Sequence, residues 1–126
     1  MDLVVPDLAT VVAAMALESE PAKAPAQPAI SISVIKPRPE CFETFVALQL
    51  SQHARLRGQV DGLRGGRLFK SRAAGMLVLV TVFESAEAAQ RFSKDVRFTE
   101  HLERVRPLIE TADAAPFELA YAVGEI

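Results

Sequence analysis

Gln49 and His53 stand four residues apart on a segment whose apolar residues Phe42, Phe45, Val46 and Leu56 recur at helical spacing. A helix brings residues three and four apart onto one face, so the spacing predicts that both polar side chains look inward with the apolar stripe. A neutral imidazole in an apolar pocket accepts a proton from a phenolic substrate, and an amide beside it orients its partner by hydrogen bonding. The competing structural account puts His53 at the exposed end of the helix, its ring nitrogen bonded to a backbone carbonyl.

Other residues offer less. His101 lies at the edge of the stripe Phe98, Leu102, Val105, where a solvated helix face accounts for it. Tyr121, the only tyrosine, is either a phenolic proton donor or an ordinary core or interface residue. Phe45, Phe83 and Phe92 are core by default, and together with His101 and Tyr121 they are the candidates for lining an aromatic-friendly cavity. Arg55, Arg57, Arg64, Arg67, Lys70 and Arg72 face a single acid, Asp61, over the same stretch. That run either attracts an anion or protects a sheet edge against unwanted pairing. Gly65-Gly66 sits inside a strand pattern and suggests a bulge, not a phosphate loop. The two histidines have no carboxylate motif near them, and Cys41 is alone, so no metal site is expected.

The elements that must position these residues follow from periodicity. Ile30, Ile32 and Val34 alternate with Ser31 and Ser33 as a strand that ends at Lys36-Pro37. Pro39 suits a first helical turn, and Glu40 to Arg57 carries the helical stripe until Gly58 and Asp61-Gly62 turn the chain. A second strand spans Leu63 to Ser71, with a turn near Ala74-Gly75. The third, Met76 to Phe83, is apolar on both faces and runs directly into a helix capped by Ser85. That helix is interrupted near Lys94-Asp95 and resumes through Phe98, Leu102, Val105 and Ile109, with Pro107 near its end. Phe117, Leu119, Tyr121 and Val123 alternate as a last strand. The order predicts an α+β, ferredoxin-like βαββαβ fold with a four-stranded antiparallel sheet. Both helices then cover one face, and the apolar third strand requires a cover for the other. A second copy of the chain is the economical one, so a homodimer is expected.

With 126 residues, half of them apolar, and a net charge of −2, the chain suits one domain and does not resemble a general nucleic-acid binder. Residues 1–29 are set apart from the domain at 30–126. Leu8 to Leu17 reads as a short helix capped by Asp7, too short to span a bilayer and without the positive flank of a secretory signal. Pro21, Pro25 and Pro28 then mark an extended tether. No membrane association is expected, and the lone cysteine points to the cytoplasm.

From Ile30 to Gly124 the chain resembles the antibiotic-biosynthesis-monooxygenase-like family of dimeric α/β barrels. The resemblance rests on the Val60-Asp61-Gly62-Leu63 turn, the "LFKS" strand end, "VLVTVFESAEAAQRF" and "FTEHLERVRPL". Phe83-Glu84-Ser85 stands where the family often has a Trp-Glu-Ser-like junction. The resemblance implies a homodimer and a cofactor-independent monooxygenase acting on an aromatic or other apolar small molecule. A non-catalytic ligand-binding or structural dimer is the alternative. The polyketide-oxidising members place an Asn, a Trp and a Tyr at the positions of Leu79, Phe83 and Ala89. The haem-degrading branch needs an Asn that this chain lacks altogether, with Phe92 and Leu102 at its Trp and His positions.

Overall fold

The computed structural model describes residues 27–124. The short helix and tether expected before residue 27 lie outside them. Four strands, β1 (Ala29–Pro37), β2 (Leu63–Ser71), β3 (Met76–Phe83) and β4 (Ile109–Phe117), form one antiparallel sheet in the order β2-β3-β1-β4. Helices α1 (Phe42–Leu56), α2 (Ala86–Ser93) and α3 (Val96–Val105) complete the ferredoxin-like plan. Its second helix is split in two at the Lys94-Asp95 interruption.

The caps explain that split. Ser85 Oγ accepts from Ala88 N at 3.1 Å to start α2, and Asp95 Oδ1 accepts from Arg97 N at 2.8 Å to start α3. Gly62 makes the turn before β2 possible. Its φ is +80°, its carbonyl accepts from Glu84 N at 2.7 Å, and a Cβ there would lie 2.6 Å from Ala88 Cβ.

The core lies between sheet and helices. Phe42, Phe45 and Val46 of α1 pack with Ile35, Leu77, Val105, Ile109 and Ala112. Phe83, Ala88 and Ala89 form a second cluster with Phe92 against it, and the Phe92 ring lies 5.7 Å from that of Phe83 and 5.0 Å from that of Phe98.

The strand pattern of β1 is the reverse of an ordinary half-buried strand. Ser31 and Ser33 are buried on the helix side with Ile35, while Ile30, Ile32 and Val34 point to the face that no helix covers. Their neighbours there are Val82, Val80 and Val78 of β3. The apolar side chains of both central strands therefore line the open face as well as the core.

The last strand differs from the sequence reading. The alternation of Phe117, Leu119, Tyr121 and Val123 predicts a strand there, but β4 ends at Phe117 and Ile109 belongs to the strand, not to the preceding helix. Chain connectivity decides the matter. Pro107 closes α3 through a short 3₁₀ turn at Arg106–Leu108, and Arg38 donates to Leu108 O at 2.8 Å and to Pro107 O at 3.2 Å. That clamp sets Ile109 beside Pro37, so the nine residues from Ile109 to Phe117 run along β1 as far as Ile30 opposite Phe117. Residues 118–124 are left outside the sheet.

Candidate functional site

Two antiparallel rungs join α1 to α3. In the first, His101 Nε2–H donates to Gln49 Oε1. In the second, Gln52 Nε2 donates to Arg97 O at 3.1 Å. Arg55 Nη2 donates to Gln52 Oε1 at 2.8 Å, and Arg97 is itself held by Asp95 at 2.7 and 2.9 Å and by Gln59 O at 3.2 Å. Arg97 holds the Asp95 carboxyl down to a pKa of about 2, through its side-chain and backbone hydrogen bonds first of all.

His101 is 7% exposed. Burial, then the positive charges of Arg104 and Arg55, push its pKa down to about 4. The ring is therefore neutral at pH 7. With Nε2 donating to Gln49, the lone pair is on Nδ1, which gives the pair one unprotonated nitrogen in a largely apolar layer.

The structure redistributes the sequence-predicted site. Gln49 faces inward as expected, but its partner is His101, not His53. His53 is exposed, as are Leu50, Ser51, Ala54 and Arg55 around it. In this last stretch of α1 the covered side runs through Gln52 and Leu56, both partly buried, and His53 falls outside it. His101 in turn is buried and not on a solvated face. Phe45, Phe83 and Phe92 are placed inside the domain, in two clusters. Tyr121 is 83% exposed in the segment after β4 and lines nothing within its own chain.

The positions that the resemblance marked are apolar and covered. Leu79 packs on the main core, and Phe83 and Ala89 are buried in the second cluster. Among the described residues no group of three or more His, Cys, Asp or Glu is placed to hold a metal ion, and no helix is long and apolar enough to cross a membrane.

Comparison with known proteins agrees with this architecture. The antibiotic biosynthesis monooxygenase family matches residues 28–104, and the chain belongs to that family. Among solved structures, Rv0793 from Mycobacterium tuberculosis is similar at a TM-score of 0.68 and 21% identity, over 78% of this chain and 100% of that one. A protein from Caulobacter crescentus described as a putative antibiotic biosynthesis monooxygenase gives 0.69 and 13%, over 77% and 93%. SnoaB, a cofactor-independent oxygenase from Streptomyces nogalater, gives 0.62 and 20%, over 79% and 100%. At these identities the likeness is one of fold. No curated protein sequence matches the chain.

Proposed function

We propose that this chain is a cytoplasmic, homodimeric, cofactor-independent monooxygenase acting on a phenolic or hydroquinone-like apolar metabolite, with His101 as proton acceptor and Gln49 as the group that orients it. The observation that carries this reading is the buried His101 ring, in contact through Nε2 with Gln49 Oε1; burial first of all holds its pKa down to about 4, so the ring is read as neutral with its lone pair on Nδ1.

The chemistry balances without a bound cofactor. Nδ1 takes the phenolic proton, and the substrate anion passes one electron to dioxygen. The substrate radical and superoxide combine into a carbon-bound peroxide, which after protonation loses water and leaves a carbonyl. One oxygen atom enters the product and the other leaves as water. A ring of pKa about 4 is a weak base in the free protein. An anion forming beside it acts in the opposite sense to Arg55 and Arg104 and raises that value. The same two arginines favour the anion.

The dimer in this reading is supported by the open sheet face. A contiguous apolar surface across β1 and β3 is what a second sheet would remove from water, at roughly 1.5–3 kcal/mol for each large side chain fully buried. The alternative, a non-catalytic dimer of the same fold, is favoured by Leu79, Phe83 and Ala89 at the positions where polyketide-oxidising members carry Asn, Trp and Tyr. Turnover of a panel of hydroquinones and anthrones under ¹⁸O₂ separates the two. One labelled oxygen per quinone product supports the oxygenase, and no product from any of the panel favours the non-catalytic dimer.

A further inference from the structure

The core of the domain is divided. One apolar cluster gathers towards the Pro37 end of β1 around Ile35, Leu77 and Phe45, and the other towards the Ala29 end around Phe83 and Phe92. Between them the covered face of the sheet is polar. Along β1 it runs Ile35, Ser33, Ser31, and the two serines are only 3% and 8% exposed. On β3, Leu79 lies beside Ser33 and Thr81 beside Ser31, while β4 offers only Ala114 and Pro116 on their other side. The middle of a covered sheet is where large apolar side chains stabilise most. Two successive serines flanked by small residues leave both room and hydrogen-bonding capacity there.

The fold does not use these hydroxyls. Among the described residues neither has a hydrogen-bond partner, yet no side-chain oxygen or nitrogen is both sealed from solvent and unpaired. The two oxygens therefore open on space that a small molecule can enter.

The His101–Gln49 pair stands over that space. Val46 of α1 and Val105 of α3 pack with Ile35 in the first cluster, and both helices have their other ends away from Pro37. Rises of about 1.5 Å per helical residue and about 3.3 Å per strand residue put Gln49 about 4.5 Å beyond Val46, His101 about 6 Å beyond Val105 and Ser33 about 6.6 Å beyond Ile35. One layer thus holds the His101–Gln49 pair on the helix side and Ser33 on the sheet side. Ser31 lies one step further, towards the stacked rings of Phe83, Phe92 and Phe98.

A proton acceptor above and two hydroxyl donors below suit a flat molecule with an oxygen at each edge. When a phenol at His101 loses its proton, the charge spreads through the ring to a carbonyl oxygen conjugated with it. Donors already in place at that oxygen favour the anion.

We infer that Ser31 and Ser33 are substrate-binding residues, and that the substrate is a phenol conjugated with a ketone whose oxygen accepts from the two serine hydroxyls. This rests on the His101 site proposed above and adds its second anchor and the class of ring it selects. The phenolic O–H is the bond that breaks, its proton goes to Nδ1 of His101, and the serines keep theirs.

The test uses the full-length protein and two probes of similar shape, 4-hydroxyacetophenone and 4-ethylphenol, which differ in the conjugated carbonyl. Calorimetric titration measures binding, and absorbance across pH measures ionisation of the bound ketone, in wild type, Ser31→Ala, Ser33→Ala and His101→Leu. Wild type should prefer the ketone at least about tenfold, and the preference should fall to about threefold or less in the serine variants. In His101→Leu the preference should persist, while the bound ketone ionises at higher pH than in wild type. Alanine adds no atom to the core, so circular dichroism should show both serine variants folded. A preference absent from wild type, or unchanged in both serine variants, with ionisation still governed by His101, overturns the serine anchor alone. Ionisation indifferent to His101→Leu, or no binding of either probe, overturns the site and the anchor together.

Discussion

His101 Nε2–H on α3 donates to Gln49 Oε1 on α1, and this pair is the inward-facing polar contact between two helices that otherwise meet through apolar side chains and the Gln52–Arg97 rung. Its consequences for protonation and stability can be measured without knowing the substrate.

His101 should stay neutral far below the range of an exposed histidine. In an NMR titration, one imidazole should titrate near pH 4 and belong to His101. The sign for stability follows from a depressed value. Above pH 6.5 neither folded nor unfolded chain binds the proton, and between pH 6.5 and about 4 only the unfolded chain does. Folding stability should therefore fall across that window as the pH is lowered. In His101→Leu the fall should be shallower, and an unchanged slope would contradict the assignment.

Gln49→Leu removes the acceptor and leaves a buried N–H unpaired, a loss of about 1–3 kcal/mol in denaturant unfolding. Adding His101→Leu removes the orphan, so the double variant should recover part of that loss. Strict additivity would mean that the two side chains do not interact.

The two faces of β3 should respond differently to a charge. Val80→Asp on the open face should leave a folded monomer, whereas Leu77→Asp, in the core beneath α1, should prevent folding. Sedimentation and circular dichroism together separate these outcomes. A Val80→Asp chain that remains dimeric at nanomolar concentration would show that the open face is not where the copies meet.

Gly62→Ala should destabilise by more than about 1 kcal/mol, because it places a side chain at positive φ and drives it into Ala88. Thermal unfolding would check this. A loss confined to a few tenths of a kcal/mol would mean that the turn relaxes away from α2.

Most of the architecture was legible in the sequence because each local signal agreed with its neighbours. Pro39, Gly62, Ser85 and Asp95 punctuate the chain where the elements change, and β2 and β3 run as the periodicity predicts. The alternation points to the wrong segment for the last strand because Phe117 to Val123 alternates more strongly than Ile109 to Pro116, whose inward positions after Ile109 are Ala112, Ala114 and Pro116. The site was half legible. Gln49 follows from the α1 stripe, but a helical wheel does not say where along the helix the cover lies, so it could not show that Gln52 and Leu56 are partly covered while His53 is exposed. His101 lies about 60° from Phe98 and about 40° from Val105 on the wheel, well inside a buried arc. The signal was present there, and the polarity of the residue obscured it.

Oxygen uptake by the purified, metal-free protein over hydroquinones, anthrones and related phenols, with His101→Leu and His53→Ala beside wild type, tests the central claim most directly. The account predicts uptake stoichiometric with product in wild type and His53→Ala, and its loss by about a hundredfold or more in His101→Leu. Uptake that survives in a folded His101→Leu chain and disappears in His53→Ala would contradict it.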